Sequence, residues 1–275
     1  MSDTIQYVRR MPGGLLTTSS IAEVFDDWRG PAESWLFVSP HDDDVVLGGG
    51  LVFQVGIAAG AEVHAAVVTD GRMGYCHIEQ RESIATIRAA EAGKSFAILG
   101  LPPQRLHFLG YADGQLATCR GAFFADGEAG SAEQRLGMQI VFSRLLRQVR
   151  PTRVFLPTSS DLHPDHRIVH EELMISLFHA QGGIWPQLGA PIAKVPRVYE
   201  MAVYCDFPEP PQIRVGTPPS MLETKLEAVL AYASQEQIGE LVEIQRAGGP
   251  VEFLRELEFR FYTPQRYEAL FARTT

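Results

Sequence analysis

Two short stretches concentrate the side chains that can do chemistry. The first, PHDDD at 40–44, places His41 directly before three aspartates, Asp42, Asp43 and Asp44. The second, DLHPDHRIVH at 161–170, contains His163, Asp165, His166 and His170. Three adjacent carboxylates are costly to bury unless a positive charge offsets them. Imidazole nitrogen and carboxylate oxygen together form a donor set that suits zinc, and a catalytic zinc takes three protein ligands and leaves a position for water. His41, Asp44 and one histidine of the second stretch would make such a set. Simpler roles exist for each stretch alone. Aspartates favour a helix N-terminus, and Pro164 suits a first helical turn.

Such side chains need elements that bring them together. The runs 35–39, 62–69, 105–110, 152–157 and 197–204 are short, apolar and rich in β-branched or aromatic residues, which predicts strands. Helical spacing covers 46–59, 78–99, 132–149 and 165–180; Leu136, Ile140, Leu145 and Val149 mark one apolar stripe, and Pro151 ends it. Strand–helix alternation predicts an α/β fold, a Rossmann-like three-layer sandwich around a mostly parallel sheet. Ligands of such sheets lie beyond the carboxyl ends of the strands. Both stretches directly follow a predicted strand, so both fall on that rim. A single domain over 1–275 is expected, with the part from about 205 to 275 mainly helical and packed on the sheet.

Composition narrows the partners. A net charge of −9 argues against a nucleic-acid surface, and no apolar run approaches a membrane span. The opening residues lack the apolar stretch of a secretory signal, and Cys76, Cys119 and Cys205 are odd in number and without CxxC spacing. A cytoplasmic protein with reduced, packed thiols is expected. GGG at 48–50 lets backbone approach a helix start closely, but Phe53 stands where a dinucleotide fingerprint needs its third glycine. Arg72 and Arg88 either grip a substrate or lie on a surface or helix face, and Trp185 either stacks on a sugar ring or anchors its loop.

The ordered set PHDDD, TDGRMG (69–74), RAAE leading to ILG (88–100), LGYADGQL (109–116), HPDHR (163–167) and KLEAVLAYASQ (225–235) resembles the PIG-L/LmbE-type zinc-dependent N-deacetylases. TDGRMG is most similar to the diacetylchitobiose deacetylase branch. The resemblance implies that His41, Asp44 and His166 bind Zn2+. It implies Asp43 as general base, a protonated His163 stabilising the oxyanion, and Asp165 orienting His163. Arg88 and Asp113 match positions that bind or support the substrate. The implied reaction is hydrolysis of the N-acetyl group of a small-molecule amino sugar, in a family with homo-oligomers (trimers or hexamers). Three positions depart from the pattern: its proline is Asp42, its final glutamate is Val45, and a tyrosine of some members is Asp161. Asp42 is expected to face solvent or cap the helix. The competing readings are an amidase acting on a thiol or antibiotic-glycoside conjugate, a magnesium- or manganese-dependent phosphoesterase, and a sugar-binding protein without catalysis.

Overall fold

The structure, a computed structural model, describes residues 4–124, 136–259 and 262–271. In chain order, a hairpin of β1 (Gln6–Met11) and β2 (Gly14–Thr18) precedes a single turn, α1 (Ile21–Val24). Then come β3 (Ser34–Ser39), α2 (Asp44–Ala58), β4 (Glu62–Thr69), α3 (Ile84–Ile98), β5 (Leu106–Tyr111), α4 (Met138–Val149), β6 (Arg153–Pro157), α5 (Pro164–Gln181) and β7 (Arg197–Met201). The last part holds β8 (Ile213–Gly216), α6 (Pro219–Leu230), α7 (Ile238–Gly248), β9 (Val251–Leu257) and α8 (Gln265–Phe271).

Among the described residues these strands form one sheet in the order β2-β1-β8-β9-β7-β6-β3-β4-β5. The five strands expected from sequence are its parallel half, β7 to β5. All six residues of β3 are buried, as a central strand covered on both faces requires. Its alternation divides the core. Trp35 and Phe37 join Phe53, Phe96 and Phe155 on one face, under α2, α3 and α6. Leu36 and Val38 join Phe142, Leu146 and Leu173 on the other, under α4 and α5.

The sheet is longer than expected. β1, β2, β8 and β9 extend it by antiparallel pairing, so it is mixed, with helices on both sides. The C-terminal part is correspondingly not all helical: after α6 and α7 the chain returns as β9 between β7 and β8. Its long glutamate and arginine side chains mask the alternation, because Arg255 and Glu252 lie in ion pairs inside the fold. The hairpin's signal was the PGG turn between two short runs. Residues 132–135 of the expected helix lie outside the described residues. Cys119 and Cys205 are half-buried, whereas Cys76 is exposed and does not pack.

Helix α2 starts where β3 ends, and a glycine sets how tightly it sits. A Cβ on Gly48 would stand 2.7 Å from the carbonyl oxygen of Ala202. Its absence lets the first turn of α2, which carries Asp44, lie against the chain leaving β7. That chain delivers Tyr204 to the same rim.

Candidate active site

The rim beyond β3, β4, β5, β6 and β7 surrounds a cleft of about 460 Å³. His41, Asp43, Arg88, Asp113, His163 and Tyr204 are among its lining residues. His41 Nδ1 lies 3.1 Å from His166 Nε2 and 3.3 Å from Asp44 Oδ2, and His166 Nε2 lies 3.1 Å from that same oxygen. Three donors held about 2.0–2.2 Å from one tetrahedral ion stand roughly 3.3–3.6 Å apart, so this triangle is close to that of a metal face.

The outer atoms of the imidazoles say why a cation fits. His41 Nε2 faces Asp113 Oδ1 at 3.3 Å, with Asp165 Oδ2 at 3.8 Å, and His166 Nδ1 faces Asp161 Oδ2 at 3.2 Å. Negative charge beside the outer nitrogens favours the ring protons there, by charge alone at His166 Nδ1, which makes no hydrogen bond, and this turns two lone pairs towards each other at the centre. A positive charge between them relieves that repulsion. The buried Asp44 Oδ1, without a hydrogen-bond partner, also leaves charge to offset. His41 additionally belongs to two looser groups of potential ligands, one with His163 and His166 and one with Asp113 and Asp165. The His41–Asp44–His166 triangle has the shorter sides and leaves Asp113 to support His41.

The electrostatics agree. Burial disfavours charge on His41 and His166, but the neighbouring carboxylates, Asp44 first, outweigh it and raise both above the ordinary histidine value. Burial would likewise raise Asp44, yet His166 and His41 pull it far below the usual carboxylate range. A centre so built takes up positive charge, as protons or as a metal ion.

Asp43 occupies the N-cap position of α2 but makes no capping bond. Its Oδ2 instead accepts from Gln235 Nε2 and, at 3.4 Å, from Arg88 Nη2. His163 is the N-cap of α5, and its Nδ1 accepts the backbone N–H of Asp165 at 3.2 Å. That bond assigns the ring proton to Nε2. Burial first, then His41 and His166, lower the His163 pKa from the ordinary histidine value. Asp165 meets His163 through its backbone amide. Its carboxylate accepts the N–H of Gly114 at 2.9 Å.

Several expectations change at this rim. Asp42 neither faces solvent nor caps the helix: it is 3% exposed, and its carboxylate pairs with Arg88 Nε at 2.8 Å and Nη2 at 2.9 Å. Burial and then Asp43 push its pKa up to about 7 against the opposing pull of Arg88. Asp113 lines the cleft but is also engaged with His41 and, through Oδ2, with the N–H of Met73. Arg72 does not reach the cleft, being bound to Asp70 beside a neighbouring depression. Asp161 enters the site as the partner of His166 and also accepts the N–H groups of His163 and Tyr204. Trp185 does not line the cleft and anchors its loop, its ring edge-on to His179 with centroids 4.7 Å apart.

Sequence reasoning missed Tyr204 as a site residue. Its ring centroid lies 5.1 Å from that of His166 and 6.2 Å from that of His163, and the side chain lines the cleft. The available signal was its place at the carboxyl end of the fifth predicted strand, on the ligand-binding rim.

Known proteins share this arrangement of strands and helices. No curated protein matches the sequence. Among solved structures, the N,N'-diacetylchitobiose deacetylase from Pyrococcus horikoshii, complexed with its inhibitor MPG, is similar at 23% identity and a TM-score of 0.65, over 84% of this chain and 87% of that one. The conserved protein TT1542 from Thermus thermophilus is similar at 26% identity and a TM-score of 0.64, over 84% of this chain and 97% of that one. GalB, the 4-carboxy-2-hydroxymuconate hydratase from Pseudomonas putida KT2440, shares the fold at 19% identity and a TM-score of 0.63, over 84% and 98%. A deacetylase and a hydratase on one fold mean that the fold alone does not choose the reaction. The family model described as PIG-L: GlcNAc-PI de-N-acetylase matches residues 36–176, the part that carries β3 to α5 and both histidine–aspartate stretches. The chain therefore belongs to the PIG-L family.

Proposed function

We propose that this protein is a zinc-dependent N-deacetylase that hydrolyses the acetamide of an amino sugar. The observation that carries the reading is the donor triangle of His41, Asp44 and His166, whose member His41 lines a cleft together with Asp43 and His163. Two imidazole nitrogens and one carboxylate oxygen favour zinc over magnesium or manganese, which prefer oxygen ligands. When bound, zinc supplies Lewis acidity and makes hydroxide available near neutral pH.

The protein's own groups do the rest. Asp43, fixed by Gln235 and Arg88, accepts the proton of the attacking water and hands it to the departing amine nitrogen. Charge develops on the former carbonyl oxygen, and the Nε2–H of His163 donates to it, with its ring held by the Asp165 amide. Tyr204, whose ring lies beside those of His166 and His163 on the cleft lining, supplies its hydroxyl as a second donor for the same oxygen. Asp113 and Asp161 keep the two ligand imidazoles in the tautomer that points a lone pair inward.

Product analysis tests the reading. Incubation of the zinc-loaded protein with N-acetylglucosamine, diacetylchitobiose and an antibiotic-glycoside amide is expected to release acetate and free amine from an amino-sugar substrate. Release of the larger acyl group alone would instead favour an amidase of glycoside conjugates, and phosphate from a phosphoester panel would reject both.

A further inference from the structure

Arg88 is the sole lysine or arginine among the described residues lining the cleft, and its charge is spent inside the protein. The side chain is 5% exposed, and Asp42 and Asp43 share its guanidinium at 2.8–3.4 Å. One ionised carboxylate of that pair already cancels it. The other carboxylates within or just behind the cleft, Asp44, Asp113, Asp161 and Asp165, meet the imidazoles of His41 and His166, and the described cleft lining offers them no second lysine or arginine. Even with a dication bound, the six carboxylates Asp42, Asp43, Asp44, Asp113, Asp161 and Asp165 outnumber the positive charges of the ion and Arg88 by three. Arg72, the nearest exposed guanidinium in sequence to the cleft wall, is itself bound by Asp70.

We infer that Asp42 sets the charge selectivity of the site. By pairing with Arg88 it turns the cleft's one cation inward, so that the cleft takes acylated amines whose remainder is neutral or cationic and turns anionic ones away. This rests on the deacetylase reading of the same site. The substrate class is then a neutral amino sugar, or an oligosaccharide that carries a free ammonium on the neighbouring unit, and not a glycoconjugate with a phosphate close to the amide.

The test uses the zinc-loaded protein with three matched compounds: N-acetylglucosamine, its 6-phosphate, and a disaccharide of N-acetylglucosamine with glucosamine. Deacetylation is followed beside calorimetric binding of glucosamine and glucosamine 6-phosphate. We expect kcat/KM for the phosphate to fall at least about tenfold below the neutral sugar at low salt, and the gap to narrow in about 1 M salt. The free-amine disaccharide should equal or exceed the neutral sugar, and glucosamine should bind more tightly than its phosphate. Asp42→Asn should raise the phosphate-to-neutral ratio several-fold. Equal handling of neutral and phosphorylated compounds by the wild-type protein overturns the inference, and an unchanged ratio in a folded Asp42→Asn variant overturns the role of Asp42. Binding discrimination without turnover of any compound would leave the charge selectivity standing and reject the deacetylase reading instead.

Discussion

His41 Nδ1 and His166 Nε2 lie 3.1 Å apart, although 125 positions of sequence separate the two residues. Each imidazole has a carboxylate on its far nitrogen, so the pair presents two inward lone pairs to one point. Replacing His166 with alanine removes one of three donors. Metal analysis should find His166→Ala depleted of zinc after dialysis against a weak chelator, with activity lost in parallel. Full zinc occupancy in that variant would require another ligand set, such as the group of His41, Asp113 and Asp165.

Asp43 touches Gln235 and Arg88 while Asp44 completes the triangle, and the proposed reaction gives proton transfer to the first and metal holding to the second. Asp43→Asn should keep its zinc and lose at least about a hundredfold in kcat, the usual scale for removing a general acid–base group. Wild-type turnover in the asparagine variant would reject the assignment.

Asp161 Oδ2 lies 3.2 Å behind His166 Nδ1 and also accepts the backbone N–H of Tyr204. Loss of such an outer partner typically costs about ten- to a hundredfold in metal affinity. Asp161→Asn is therefore expected to need about that much more free zinc for half-maximal activity, with kcat largely recovered at saturation. A zinc titration measures this directly, and an unshifted midpoint would mean that His166 needs no such support.

The Tyr204 ring lines the cleft beside those of His163 and His166, and in the proposed reaction its hydroxyl is an oxyanion donor. Removing one oxyanion donor costs about 100- to 1,000-fold where the donor is fixed, and less where it is exposed as Tyr204 is, at 54%. We expect Tyr204→Phe to lower kcat by about tenfold with little change in KM or zinc content. A rise in KM alone would make Tyr204 a binding residue for the sugar.

Glu200 on β7 links the sheet to α5 and β9. Burial works to raise its carboxyl, but His170, the amide of Ser159 and Arg255 overcome it and hold the pKa at about 2, down from 4.5. A depressed carboxyl stabilises the fold fully above its unfolded value and loses that contribution as pH falls through its folded value. Urea midpoints of the wild type should therefore drop between about pH 4.5 and about pH 2 by more than those of Glu200→Gln. Parallel profiles of the two proteins would show that this cluster does not carry the acid sensitivity.

Much of the site was legible in the chain. Strand length and β-branching located the five parallel strands, and the side chains that follow a strand in such a sheet meet at its carboxyl rim whatever the intervening loops. That is why His41, Asp43, Asp44, His163 and His166 could be grouped without coordinates. What folding alone decided is the side-chain pairing within the rim. Asp42 looked like a solvated or capping residue because nothing in the local sequence reports that Arg88, 46 positions away, is buried against it. Tyr204 and Asp161 meet only because β6 and β7 are neighbours in the sheet. The antiparallel extension was hidden for a related reason: Glu252 and Arg255 of β9 are satisfied by Lys225 and Glu200, partners that exist only once the chain is packed. Spacing fixes which backbone positions share an edge, whereas the partner of a buried charge depends on distances between elements far apart in sequence.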